Sequence, residues 1–259
     1  PRAMWIDSHC HLDASEFDPD RDLVIADARA AGVAAQILPA IRAADWPQLK
    51  ALCDRHAALF PAYGLHPMFL NDHRPNHLLA LRQWIERERP IAVGECGLDY
   101  FLPELDPVAQ GNYLRGQLDL AVEFDLPVIV HARRAVDAIL LHLRRYAGRL
   151  RGVVHSYAGS EEQASQLFKL GFYLGIGGPV TYERAQRLRR LVTNMPIDFL
   201  ILETDAPDQP PAWARGTRNT PANLVHIAEH IARLRNIDTL SLARATRLNT
   251  CNLFRLPVA

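Results

Sequence analysis

Short apolar runs alternate with amphipathic stretches along the whole chain. Trp5 and Ile6 open the series, and the sequence then turns polar through Asp7-Ser8-His9-Cys10-His11-Leu12-Asp13, as a strand does when it runs out into a loop. A helical pattern covers 20–31, where Leu23, Val24, Asp27 and Ala28 fall at helical spacing and Gly32 supplies a stop. Further strands are predicted at 33–39, 61–65, 91–94, 127–130, 152–154, 172–176 and 199–202. Between and after them, helices are predicted over 44–59, 76–87, 108–124, from the 127–130 strand to 146, from 160 to 170, up to 193, and over 221–234 and 239–254. Ser160 reads as a cap, with Glu162 and Gln163 in the first turn behind it.

The strands are mostly short continuous apolar runs, which belong to parallel strands buried on both faces. Eight β-α units in about 250 residues predict a single (β/α)₈ barrel of the TIM type. An open doubly wound sheet would carry a Gly-rich phosphate loop after its first strand, and Asp-Ser-His-Cys-His stands there instead. No internal repeat or interdomain linker interrupts the pattern. With the three residues ahead of Met4 set aside, one domain over 4–259 is expected. The irregular stretch from Asp205 to Pro221, with prolines at 207, 210, 211 and 221, is expected to be a wall of the substrate site.

Composition narrows the function classes. The 259 residues include 29 basic and 29 acidic side chains, so the formal net charge is zero. A protein that coats duplex nucleic acid is usually basic, so any nucleic acid here is expected to meet a local site. No apolar run is long enough to span a membrane, and Asp7 and His9 interrupt the first apolar stretch where a secretory signal would need to continue. The expected address is the cytoplasm. The four scattered cysteines, Cys10, Cys53, Cys96 and Cys251, make no zinc-ribbon or C-x-x-C spacing and read as buried reduced thiols.

The candidate chemistry stands at the carboxyl ends of the predicted strands. The first gives His9 and His11, the third His66, the fourth Glu95, the fifth His131, the sixth His155 and the eighth Asp205. Residues two apart on a strand share a face, so His9 and His11 point together and Cys10 points away. An isolated H-x-H pair is more often two hydrogen-bonded histidines. Its weight here comes from the series, because strand carboxyl ends are where barrel active sites sit. Imidazoles and carboxylates in this number exceed one tetrahedral ion with an open position and suit two divalent ions. Glu95, in the middle of the series, is the candidate for a shared ligand, and Asp205, on the last strand, for a partner of His9 and His11.

Four motifs carry a family resemblance: Asp7-Ser8-His9-Cys10-His11-Leu12-Asp13, Gly94-Glu95-Cys96-Gly97-Leu98-Asp99-Tyr100, Val130-His131-Ala132-Arg133 and Leu202-Glu203-Thr204-Asp205-Ala206-Pro207. In this order they resemble the TatD family of metal-dependent hydrolases, which is similar to the amidohydrolase-type barrels. The resemblance implies a deoxyribonuclease, often an exonuclease working from the 3′ end of single strands. It implies His9, His11, Glu95 and Asp205 on one metal ion and Glu95, His131 and His155 on a second, each Mg²⁺, Mn²⁺ or Zn²⁺. Within that reading Asp205 and Glu95 are catalytic, with Asp205 as the base for a metal-activated water. His66 is a candidate to hold a phosphate oxygen, as are Arg133 and Arg218, for which a solvated surface charge is the alternative. Tyr100 and Phe101 either stack on a base or pack in the loop, and Glu203 either orients a ligand or sits in a structural ion pair. The expected partners are DNA ends or a small phosphoester, with no membrane, and the expected state is a monomer.

Three departures bear on the substrate and leave the expected ligands intact. His155-Ser156-Tyr157-Ala158-Gly159 stands where the family commonly has His-Cys-Phe-Ser-Gly, Met68 where many members carry a second histidine, and Arg218-Asn219-Thr220-Pro221 where Arg-Asn-Glu-Pro is usual. The same metal centre acting on a small ester, lactone or amide is therefore the alternative reading.

Overall fold

In a computed structural model that describes residues 3–257, the apolar runs become eight β-strands and the amphipathic stretches nine α-helices. The fold is α/β with parallel strands, as the alternation predicts. Pro1 and Arg2, set aside above, and the last two positions of the expected domain lie outside the described residues. Among the described residues no helix is long and apolar enough to cross a membrane. The chain divides into two compact units.

The first unit takes the described residues up to Leu38 and those from Leu174 onward. It holds β1 (Trp5–Asp7), α1 (Arg21–Ala31) and most of β2 (Val33–Pro39). Gly32 ends α1 at φ 108°, with its N–H on the carbonyls of Ala28 and Arg29. β1 pairs in parallel with β2, Trp5 opposite Val33 and Asp7 opposite Gln36. From the later part of the chain come the end of β7 (Phe172–Ile176), α7 (Gln186–Asn194), β8 (Leu200–Leu202), α8 (Leu224–Arg235) and α9 (Thr239–Phe254). β7 and β8 pair in parallel. The Ser8 N–H donates to the Leu202 carbonyl at 3.0 Å, which brings the ends of β1 and β8 side by side. The buried amide of Asn249 on α9 donates to the carbonyls of Ile197 and Leu200 and fixes the start of β8.

The second unit runs from Pro39 to Tyr173. It contains α2 (Trp46–Asp54), β3 (Leu59–Ala62), α3 (Asn76–Glu88), β4 (Val93–Asp99), α4 (Pro107–Glu123), β5 (Val128–Arg133), α5 (Val136–Arg144), β6 (Gly152–Val154) and α6 (Glu161–Lys169). β4, β5 and β6 form a parallel ladder. Ser160 caps α6 in a reciprocal box with Gln163.

Two boundaries differ from expectation in ways that matter. The helix predicted over 44–59 ends at Asp54, and Leu59 already begins β3. The fourth strand does not stop at Gly94: it continues through Glu95-Cys96-Gly97-Leu98 to Asp99, every residue of it buried. Glu95 therefore projects from inside a strand. Two buried glutamines of α4, seven positions apart and so on one helix face, clamp this region. Gln110 accepts from the Asp99 N–H at 2.7 Å and donates to the Asp99 carbonyl at 3.0 Å. Gln117 does the same for Leu65, at 2.8 and 3.2 Å, just before His66.

Gly97 shows how tight the ladder is. It sits opposite His131 at φ 149°, and a Cβ there would collide with the His131 carbonyl oxygen. Gly148 also has positive φ, 78°, but a Cβ there meets nothing. Gly148→Ala is expected to cost about 1 kcal/mol, from backbone strain alone. Gly97→Ala is expected to cost about 3 kcal/mol or more, because the clash is added. Urea midpoints at equal m-value measure both, and similar midpoints would show that the β4–β5 approach is looser than described.

Candidate metal centre

The first unit brings together His9, His11 and Asp205. The two histidines lie just beyond β1, and their Nε2 atoms are 3.2 Å apart. Asp205 Oδ1 stands 3.5 Å from His9 Nε2 and 3.3 Å from His11 Nε2. Ligands about 2.0–2.1 Å from a tetrahedral ion stand about 3.3–3.4 Å from one another. The three atoms thus have the mutual spacing of three corners around a divalent ion. Cys10 points the other way, its thiol on Gln36.

Backbone bonds fix this arrangement. The Asp205 N–H donates to the His9 carbonyl at 2.8 Å, and the His11 N–H to the Ala206 carbonyl at 2.7 Å. Behind them lies Asp7, fully buried, whose carboxylate accepts from the N–H groups of His9 and Thr204 and from the Thr204 hydroxyl. Burial pushes its pKa up to about 7, although those hydrogen bonds pull it down. The loop after Asp205 is pinned by buried Asn219, which donates to the carbonyls of Thr204 and Asp208. Asp205 itself has φ 57°, and its second oxygen accepts from the Gln209 amide at 2.7 Å. Glu203 is buried one position beyond β8.

The second unit brings together His66, Glu95, His131 and His155. Glu95 is 1% exposed, and its Oε1 lies 3.0 Å from His66 Nε2, 3.2 Å from His131 Nδ1 and 2.8 Å from His155 Nε2. His155 Nε2 and His131 Nδ1 are 3.4 Å apart.

The imidazoles are not equivalent. The Met68 N–H donates to His66 Nδ1 at 3.0 Å, so that nitrogen carries a lone pair and the proton of neutral His66 is on Nε2, facing Glu95. Burial lowers the His66 pKa to about 4, against the pull of Glu95. His66 Nε2 is spaced for a metal, but a protonated nitrogen has no lone pair to offer one. His66 is therefore a hydrogen-bond donor in this group.

His131 has the opposite polarity. Its Nε2 donates to Asp99 Oδ2 at 2.8 Å, which turns the Nδ1 lone pair toward Glu95. Burial disfavours its protonated form, yet the bonds to Asp99 and Glu95 outweigh burial and hold its pKa above the usual range. A lone pair facing a carboxylate oxygen at 3.2 Å is favourable only with a positive charge between or on them. A divalent ion supplies that charge, and the donor set of His131, His155 and Glu95 suits one.

Asp99 is the residue that sequence reasoning passed over. It is fully buried and also accepts from Arg133 Nε at 2.8 Å and from the Phe101 N–H at 3.1 Å. Burial works against its ionisation, but His131 and Arg133 outweigh it and keep the pKa below the carboxylate norm. Its place in Gly97-Leu98-Asp99-Tyr100 was visible; that its side chain orients His131 was not. Gln209 and Asn219 gave no signal beyond lying in a loop.

The two candidate arginines fare differently. Arg133 is partly exposed, with Nε on Asp99. Arg218, the other expected phosphate ligand, forks its guanidinium onto both oxygens of Asp20, at 2.8 and 2.7 Å, donates to the Glu16 carbonyl and lies over the Phe17 ring. Both terminal nitrogens are engaged, and the residue braces the loop against the start of α1.

Parallel strands alternating with helices, with imidazoles and carboxylates gathered in metal-ligand spacing within or just beyond the strands, fit the class of metal-dependent hydrolases. The comparisons agree. Residues 6–255 match the family model of TatD related DNases. The chain is 38% identical over 255 residues to an Escherichia coli protein described as the uncharacterized metal-dependent hydrolase YjjV, covering 98% of each. It is 34% identical over 253 residues to the 3′-5′ ssDNA/RNA exonuclease TatD of Erwinia tasmaniensis, covering 95% of this chain and 98% of that one. The crystal structure of YjjV superposes with a TM-score of 0.95 over 98% of this chain and 99% of its own. The chain belongs to the TatD family and is a metal-dependent hydrolase.

Asp99→Asn is expected to weaken metal binding at the His131 group about 10–100-fold, since a neutral amide oxygen is a weaker acceptor for His131 and Arg133 than the carboxylate oxygen they share, and the amide N–H₂ then faces the Phe101 N–H. Competition against a chelator measures this. Unchanged affinity would mean that strand packing alone orients His131.

Proposed function

We propose that this chain hydrolyses phosphodiester bonds of single-stranded DNA from the 3′ end, as a cytoplasmic monomer using two divalent ions. The observation that carries the reading is the 34% identity, over 98% of its length, to a relative named as a 3′-5′ ssDNA/RNA exonuclease. The imidazole–carboxylate groups support it, because their donor sets suit ions that phosphoryl chemistry uses.

His9, His11 and Asp205 would hold one ion, and His131, His155 and Glu95 the other. Such ions lower the pKa of water and neutralise charge on a phosphodiester. The residues do the rest. Asp205 accepts the proton of the attacking water. Gln209, on Oδ2, keeps that carboxylate from rotating away from His9 and His11. His66 gives its Nε2 proton to Glu95, and its low pKa keeps it a neutral donor across the physiological range. Asp99 keeps the His131 lone pair on the inner side.

Trimming of end-labelled single strands should outpace nicking of closed circular duplex and weaken as salt rises. Equal rates on both substrates, or a preferred small neutral ester with no salt dependence, would defeat the reading.

Asp205→Asn keeps the shape and a carbonyl donor but cannot take a proton. Turnover is expected to fall about 10²–10⁴-fold at saturating metal, with the fold retained. Near-normal turnover restored by excess metal would make Asp205 a ligand alone.

A further inference from the structure

Just past β4 the second unit leaves two neighbouring aromatic rings in solvent, Tyr100 at 37% and Phe101 at 46% exposure. Single exposed aromatics need no explanation. Phe101 is unusual in its company: the guanidinium carbons of Arg133 and Arg134 lie 4.5 and 4.8 Å from its ring centroid. The arginines are held differently. Arg133 is anchored through Nε to Asp99, the carboxylate that also fixes His131. Arg134 is exposed, has φ 52°, and among the described residues makes no hydrogen bond or ion pair. Its contact is the ring itself. A single buried carboxylate thus ties this aromatic–cation patch to the imidazole group around Glu95.

We propose that Phe101, with Arg133 and Arg134, is a docking platform for a nucleobase of a single-stranded nucleic acid, next to the phosphodiester to be cut; this rests on the nuclease reading above. The incoming base takes the place of the Arg134 guanidinium on the ring. Arg134, which has no carboxylate to leave, moves to the adjacent phosphate. Arg133 stays on Asp99 and keeps the platform in register with His131. The exchange replaces one flat π-stacking group by another and gives a free cation an anion. It is tolerant of sequence because every base has a π-face, and it needs an unpaired base, which a duplex does not offer.

The test uses the full chain in chelator, so that binding is read without hydrolysis. Fluorescence anisotropy measures binding of a short single-stranded oligonucleotide and of the same strand carrying abasic sites at its 3′ end. Phe101→Ala should lower affinity for the base-bearing strand about 5- to 150-fold and leave the abasic strand unchanged, while Phe101→Trp should retain binding of both. Arg134→Ala should weaken both strands and flatten the salt dependence by about 0.7 in logarithmic slope. If Phe101→Ala binds both strands as the wild type does, or the wild type does not distinguish them, the platform is overturned. The two readings separate once metal is restored. A wild type that binds through Phe101 but hydrolyses no strand with any divalent ion refutes the nuclease and leaves the platform. A wild type that trims strands with a KM that Phe101→Ala does not move refutes the platform and leaves the nuclease.

Discussion

The burial of the Glu95 carboxylate is the constraint on which the second unit depends. A charged group taken from water costs several kcal/mol unless partners replace the lost solvent. Three imidazole nitrogens converge on one of its oxygens, and each is oriented by something further out. The Met68 N–H assigns the His66 proton, and Asp99 assigns that of His131. Asp99 is itself held by Arg133 through its side chain and by Gln110 through its backbone. Gln117 holds Leu65, next to His66, in the same manner. α4 thus acts on the site without supplying a residue to it. Glycine at 97 allows β5 to approach closely enough for His131 to reach Glu95.

The first unit solves a related problem with other parts. Its buried carboxyl group is Asp7, and the compensation comes from backbone N–H groups and a threonine hydroxyl. The result is mechanical: Asp7, at the end of β1 and two residues before His9, is locked to Thr204, one residue before Asp205. Asp205 then needs only rotational control, which Gln209 gives. In both units the chemistry-bearing side chain is aimed by a neighbour whose own geometry is fixed by the backbone, as precise placement of reactive groups requires.

Much of this was legible in the sequence. Strands 33–39 and 172–176 and the helix 239–254 have the predicted bounds, because continuous apolar runs and helical periodicity each have one reading when turn residues flank them. Asp205 was expected near His9 and His11 because it follows the last strand and they follow the first; Glu95, His131 and His155 were grouped only by the family resemblance, which also put Glu95 with the first set. What was illegible has physical causes. Gly-Glu-Cys-Gly has poor strand propensity, so the extension of β4 through Glu95 to Asp99 was invisible: it is held by the ladder to β5 and by Gln110, not by local preference. Gln110 and Gln117 carry no signal in the sequence, since nothing local shows that a glutamine will meet a backbone edge. The partner of Arg218 was equally hidden, because Asp20 lies far away in sequence.

The positive-φ residues separate ordinary chain reversal from built-in strain. Of the non-glycine residues in this region, Arg89, Asp125, Asn236 and Arg255 end α3, α4, α8 and α9, where a left-handed residue is the usual stop. The other four are Arg134 just after β5, Ser156 after β6, and Asp205 and Gln209 after β8. No helix ends at any of them. A left-handed residue with a side chain costs roughly 1–2 kcal/mol, and such strain persists only where the surroundings over-determine it. Here it falls at the carboxyl ends of the strands, beside His131, His155 and the His9–His11–Asp205 group. At Asp205 the backbone N–H bonded to the His9 carbonyl and the amide of Gln209 hold the residue in place. At Arg134 no hydrogen bond or ion pair among the described residues holds the side chain, and the same turn of the chain leaves its guanidinium on an exposed ring. One conformation thus occurs in two settings: at Asp205 it comes with a fixed carboxylate, and at Arg134 with a guanidinium on an exposed ring, the position that the proposed platform uses.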